Sequence, residues 1–221
     1  MKDADVDLAV KSIIASRVIN TGQVCNCAER VYVDKAIKET FMEKLVAGMK
    51  QVKVGNPNEI ADLDMGPLIE ASALKSMEKK VERAIQQGAR LLCGGHRIGT
   101  KGYFFEPTVL DCVTQKMDII QEETFWPVLP VVEYSDINDA IAWANDCEYG
   151  LTSSVYTQNL DNAFKVMRSL KFGETYINRE NFEAMQGFHA GWRKSGIGGA
   201  DGKHGLEEYL QTQVVYLETK E

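Results

Sequence analysis

The sequence is short of several things at once: no apolar run approaches membrane-spanning length, and Lys and Arg nowhere cluster. There is also no internal repeat, low-complexity stretch or long Gly/Ser/Pro linker. The first absence excludes a spanning helix. With 32 acidic against 25 basic side chains and a net charge of −7, the second argues against nucleic acid or an anionic membrane surface as partner. Cysteines number five, an odd count scattered through a chain large enough to fold without staples, which points to a reducing, cytoplasmic setting. Histidines number three (His96, His189, His204), and none forms a ligand pair with the single Cys-x-Cys at Cys25 and Cys27, so no metal is expected. No Gly-x-Gly-x-x-Gly opens a βαβ unit, so a dinucleotide pyrophosphate has no evident cradle.

What is present is the pattern of an ordinary globular chain: 44% hydrophobic and 26% charged residues over 221 positions. Val6, Val10, Ile13 and Ile14 recur at helical spacing within 3–20, with Asp3 and Asp5 suited to the helix start and Arg17 to its last turn. Further helices are marked by Phe41, Leu45 and Met49, and by Leu74, Met77, Val81 and Ile85 closed by Gly88. Two more are marked by Ile137, Ala140, Ile141 and Ala144, and by Ala163, Val166, Met167 and Leu170. Strands are expected at 30–33, 89–93, 103–110, 128–134, 151–157, 174–178 and 213–217. Strands alternating with helices predict an α/β fold with a mostly parallel sheet and flanking helices. The last strand, far from the crossover units, can pair with its own sheet or with another chain's edge.

The segment Asn20-Thr21-Gly22-Gln23-Val24-Cys25-Asn26-Cys27-Ala28-Glu29-Arg30 places a glycine loop, a cysteine and an amide between a helix and a strand. A loop held by rigid elements suits a nucleophile. The alternative is that Cys25 and Cys27 are small buried hydrophobes.

Gly22-Gln23-Val24-Cys25 with Arg30 resembles the active-site cysteine motif of the NAD(P)-dependent aldehyde dehydrogenases. The resemblance continues through Gly66-Pro67-Leu68, Phe105-Glu106-Pro107-Thr108-Val109-Leu110, Glu123-Thr124-Phe125 with Pro127-Val128, Ala144-Asn145 with Tyr149-Gly150-Leu151, and Lys194-Ser195-Gly196-Ile197-Gly198. Asn178-Arg179-Glu180-Asn181-Phe182-Glu183 and Gly187-Phe188-His189-Ala190-Gly191-Trp192 are most similar to the branch acting on lactaldehyde and glycolaldehyde. The resemblance implies the family's catalytic domain over 21–211, a preceding helix (1–20) at the border with an N-terminal Rossmann-type domain that is not in this sequence, and an oligomerisation strand and tail over 212–221. It also implies that the general-base segment Glu-Leu-Gly-Gly-Lys is missing, so the chain alone is expected to be inactive as a dehydrogenase.

By that resemblance Cys25 is the nucleophile: its thiolate attacks the aldehyde carbon, the oxyanion expels hydride to the nicotinamide, and water hydrolyses the thioester. The Cys25 N–H can supply an oxyanion donor, whose loss typically costs about 10²–10³ in rate. Glu123 and Phe125 match the positions that hold the NAD ribose and pack beside the nicotinamide. Trp126 stands where the family usually has glycine, a residue that permits positive φ. Asn26, Glu183 and His189 are the candidates to bind the hydroxyl of a small hydroxyaldehyde, while His96 and His204 are read as structural and Cys27 as a bystander. The partners implied are a small aldehyde and either identical or full-length subunits. The alternative is a non-catalytic assembly or regulatory partner.

Overall fold

The computed structural model describes residues 1–180 and 182–220; Asn181, part of the motif quoted above, and Glu221 lie outside them. Helix α1 (Val6–Val18) starts where the Asp5 carboxylate accepts the Leu8 N–H at 3.0 Å, which satisfies one of the free donors of the first turn. It runs into a tight turn at Ile19–Gly22. Strand β1 (Val31–Asp34) and helix α2 (Lys38–Gln51) follow. Helix α3 (Ala71–Gln86) is closed by Gly88 at φ +109°.

Strands β2 (Arg90–Cys93), β3 (Arg97–Ile98), β4 (Phe104–Phe105) and β5 (Thr108–Val113) come next, and the short helix α4 (Asp118–Gln121) leads to β6 (Val128–Tyr134). Then come α5 (Ile137–Asn145), β7 (Thr152–Val155), α6 (Leu160–Ser169) and β8 (Glu174–Ile177). The described chain ends with β9 (His189–Ala190), β10 (Gly199–Ala200) and α7 (Gly202–Glu207).

The main sheet has the order β1-β6-β5-β2; β1 and β5 run parallel to β6, and β2 is antiparallel to β5. The expected mostly parallel sheet is therefore observed. Its strands alternate between two cores, as the period of two requires. Leu129, Val131, Val31, Val33 and Val109 face one core with Leu45 and Met49 of α2. Val128, Val132 and Leu110 face the other with Leu74, Met77 and Val81 of α3. The helices thus cover both faces, the arrangement a parallel sheet needs to bury its two apolar sides. Strands β7 and β8 form a separate parallel pair packed by α6 through Val155, Val166 and Leu170.

Two expected strands differ in the structure. The run 103–110 is broken at Glu106-Pro107, because proline has no N–H to donate to a ladder, and the second part extends to Val113. Residues 213–217 form no strand among the described residues: Val214, Val215, Tyr216 and Leu217 are exposed and meet no sheet edge of this chain. No helix among the described residues is long and apolar enough to cross a membrane.

Candidate active site

Cys25 sits at the corner of a turn in which the Cys27 N–H donates to the Val24 carbonyl at 3.1 Å. The turn exposes Cys25 and buries Asn26 and Cys27. The approach to it is wound left-handed, with φ of 45° at Asn20, 61° at Thr21 and 75° at Gly22. Only glycine fits at 22: a Cβ there would lie 2.6 Å from the Trp126 carbonyl carbon and 2.7 Å from the Arg17 guanidinium. Thr21 Oγ1 donates to the Gly66 carbonyl at 3.1 Å, and the Ile69 N–H donates to Gln23 Oε1 at 2.9 Å, tying the loop to the Gly66-Pro67-Leu68 motif.

Underneath lies Arg17, whose side chain is fully buried. Its guanidinium donates to the Gly22 carbonyl at 3.0 Å, the Ala28 carbonyl at 2.8 Å and Glu29 Oε2 at 2.8 Å. Glu29 Oε1 in turn accepts the N–H groups of Thr124 and Phe125. One guanidinium and one carboxylate therefore join both ends of the cysteine loop to the turn that carries Glu123 and Phe125. Burial works to raise the Glu29 carboxyl, but the Arg17 charge and these hydrogen bonds override it and hold the group below the usual carboxylate range. Cys27 has the opposite balance: burial pushes its thiol up, which suits an inert packed cysteine.

Arg30 anchors the start of β1 to the end of α5, donating to the Trp143 carbonyl at 3.4 Å and the Ala144 carbonyl at 3.2 Å. Trp126 does not carry the positive φ that glycine would permit; Phe125 does, at 56°. The tryptophan ring packs against the core beneath α3, so this substitution is absorbed without left-handed backbone at 126.

The polar candidates fall into two hydrogen-bonded groups. Asn26 Nδ2 donates to Glu183 Oε2 at 3.1 Å. The other group holds His189: its Nδ1 lies 2.9 Å from Glu174 Oε1, and the other oxygen of Glu174 accepts from the Tyr176 hydroxyl. Burial, then the Glu174 hydrogen bond and charge, and then the Glu183 charge raise the Tyr176 phenol well above its ordinary value, so it remains a donor. A cleft of about 500 Å³ opens between β1 and β7 and reaches Cys25, with Glu29, Glu123, Tyr149 and Ser195 on its walls. Asn26, Glu183 and His189 do not line that cleft. Lys194-Ser195 meets Tyr149-Gly150 through the Gly150 N–H, which donates to Ser195 Oγ at 2.8 Å. No group of three or more metal-binding side chains is found among the described residues.

Four residues that hold these groups are absent from the site expected on sequence: Arg17, Glu29, Glu174 and Tyr176. Arg17 reads as a last-turn cation and Glu29 as one letter of a motif. The alternation of a strand over 174–178 does place Glu174 and Tyr176 on one face, but nothing in the pattern marks His189 as their partner.

The aldehyde dehydrogenase family model matches residues 1–215. The lactaldehyde dehydrogenase of Escherichia coli K12 is 64% identical over 219 residues, covering 99% of this chain and 46% of that protein. A crystal structure of E. coli lactaldehyde dehydrogenase superposes with a TM-score of 0.97, covering 99% of this chain and 46% of that one at 64% identity. The NAD⁺ complex of an aldehyde dehydrogenase from Bacillus cereus gives 0.94 at 33% identity, with 100% and 45% covered. The chain thus spans about half the length of the curated relatives it matches. With the family model covering nearly all of it and the fold superposing throughout, the chain belongs to the aldehyde dehydrogenase family.

Proposed function

We propose that this chain is the cysteine-bearing part of a nicotinamide-dependent dehydrogenase that oxidises small 2-hydroxyaldehydes, of which lactaldehyde and glycolaldehyde are examples, to the acids. The observation that carries the reading is the exposed Cys25 on a loop fixed by Gly22, Arg17 and Glu29, in a chain 64% identical to a lactaldehyde dehydrogenase. A thiolate there is a strong nucleophile at neutral pH, and its thioester is readily hydrolysed. The Cys25 N–H makes no hydrogen bond among the described residues, which leaves it available to the oxygen of the adduct.

NAD fits what is present on this side of the thiol. Glu123 offers an exposed carboxylate that can accept from a ribose diol, and Phe125 a half-buried ring beside it. The cofactor's own chemistry, when it is bound, is to take up the hydride released from the adduct. Asn26, Glu183 and His189 supply the polar groups that would tell a hydroxyaldehyde from its deoxy analogue, a kind of discrimination that reaches about 10⁴-fold in sites built for it. The phosphate cradle and the general base would come from the part of such an enzyme that this chain does not match, and general-base catalysis typically contributes about 10²–10⁴ in rate. The chain alone should therefore produce no NADH.

The test is to express the chain together with the unmatched part of the E. coli relative and follow NADH with lactaldehyde, glycolaldehyde and propanal. Cys25-dependent turnover that favours the two hydroxyaldehydes is expected. Turnover surviving Cys25→Ala would remove the nucleophile assignment, and equal rates with propanal would remove the hydroxyl assignment. A second reading rests on the exposed Val214, Val215, Tyr216 and Leu217: this β-branched and aromatic stretch suits strand addition to another subunit's sheet edge, through which the chain would assemble with copies of itself or with full-length subunits.

A further inference from the structure

Gly173 determines how two strands meet. A Cβ at that position would fall 1.5 Å from the Ala190 carbonyl oxygen, so β9 crosses the start of β8 in backbone contact and brings His189 over the next residue, Glu174. Along β8, Thr175 faces the other way and pairs with Ser153 Oγ at 2.9 Å, which leaves Glu174 and Tyr176 together on the His189 side. The side chains of His189 and Glu174 are only 19% and 13% exposed, so water competes weakly for their contact.

The Glu174 carboxylate can only accept when ionised. One of its oxygens accepts a hydrogen bond from the Tyr176 hydroxyl, and the other lies 2.9 Å from His189 Nδ1. Nδ1 must then carry the ring proton, and the neutral imidazole is left with a bare lone pair on Nε2. The Arg179 guanidinium stands 5.3 Å from the Tyr176 ring centroid. Glu183 accepts from Asn26, next to Cys25 in the chain. Glu174 therefore joins Tyr176 to His189, and Glu183 holds Asn26 beside Cys25.

We propose that Glu174 is a positioning residue of this site: it holds His189 in the Nδ1–H form, so that Nε2 is presented as an acceptor for the 2-hydroxyl proton of the aldehyde substrate. The second half of that statement rests on the hydroxyaldehyde reading given above; the first does not. Aldehydes without the hydroxyl leave Nε2 unpaired, and the site discriminates against them through an unsatisfied acceptor.

The test is nitrogen NMR of the full chain labelled with ¹⁵N-histidine. The three ring systems are assigned with His96→Gln and His204→Gln, at about pH 9, well above the ordinary imidazole value of about 6.5. His189 is expected as the Nδ1–H tautomer, against the Nε2–H preference of a free imidazole. Glu174→Ala should lose the Nδ1–H signal. Glu174→Gln, which still presents an acceptor oxygen, should keep it, a split that a general folding defect would not produce. Wild-type His189 in the Nε2–H form, or an Nδ1–H signal unchanged by Glu174→Ala, overturns the positioning role; the wild-type spectrum decides alone if the alanine variant does not fold. Lactaldehyde should shift the Nε2 resonance and propanal should not. Equal response to both overturns the hydroxyl contact, and with it the substrate reading, independently of the tautomer result.

Discussion

The two flanks of Cys25 are held by different means. On the cysteine loop the fixing groups are buried and bind backbone: Arg17, with no exposed side-chain surface, takes two loop carbonyls, and Gly22 admits the Trp126 carbonyl where a Cβ would stand. On the polar flank, side chains hold side chains: buried Asn26 to Glu183, and His189 to Glu174 to Tyr176. The difference teaches a division of labour. The position of the thiol is coupled to the fold as a whole, while the groups proposed to read the substrate depend on a small network that can change without unfolding anything.

Arg17→Met is the most damaging way to probe that division. Removing one partner of a buried ion pair strands the other, and losses of about 3–5 kcal/mol are typical. Glu174→Ala breaks two side-chain hydrogen bonds, for which about 1–3 kcal/mol is the expected range. Urea unfolding of both variants should place Arg17→Met well below Glu174→Ala; equal midpoints would erase the distinction between the flanks.

Gly22→Ala follows. Its φ of 75° alone costs an L-residue about 1–3 kcal/mol, and the contacts at 2.6 Å force the loop or the Trp126 backbone to move. The rate of Cys25 alkylation by iodoacetamide should change in this variant and stay at the wild-type value in Glu174→Ala. An unchanged rate in Gly22→Ala would mean that the loop does not position the thiol.

The contrast also explains what was legible in the sequence. Helices α1, α2 and α3 and strand β6 follow from apolar periodicity, because the residues that announce them fill the two main cores, and α5 and α6 are announced by residues of the separate cluster around Val155. Cys25, Asn26 and Glu123 stand in short motifs, and the structure sets the turn that carries Glu123 against the cysteine loop through Glu29. The residues that hold these groups are not marked by any motif: the role of Arg17 depends on Ala28 and Glu29 folding back over it, and that of Glu174 on β9 crossing β8 at Gly173. Both are contacts that no local pattern encodes. The strand expected at 213–217 has the right residues and lacks an edge to pair with, so composition alone overstated it.

Acid provides a finer comparison. The folded-state values of Glu29 and Asp111 lie below the ordinary carboxylate range despite burial, Glu29 through Arg17 and Asp111 through Lys38 at 2.9 Å and Arg90 at 2.6 Å. A depressed folded value means that the unfolded chain binds protons first, so their stabilisation is complete above about pH 4 and is lost as the pH falls through the lower folded values. Stability measured by denaturant from pH 6 downward should therefore decline below about pH 4. Glu29→Gln and Asp111→Asn should each flatten that decline while lowering the plateau; an acid limb of undiminished slope in both would assign the acid sensitivity to other groups.

The smallest effect on the fold is expected at the tail, where the comparison is with a segment that packs on nothing in its own chain. Val215 is 74% exposed, so Val215→Asp removes no internal contact, and the unfolding free energy should stay within about 0.5 kcal/mol of wild type. If the tail adds as a strand to another subunit, the same charge would be buried against that subunit's edge, and association should weaken by an amount far exceeding the change in stability. Sedimentation of the two proteins at matched concentration separates the cases. Assembly lost with the fold intact makes the tail an intermolecular element. Identical sedimentation would leave the exposed Val214 to Leu217 stretch without the role proposed for it, and a large loss of stability would show that the tail belongs, like the cysteine loop, to the fold itself.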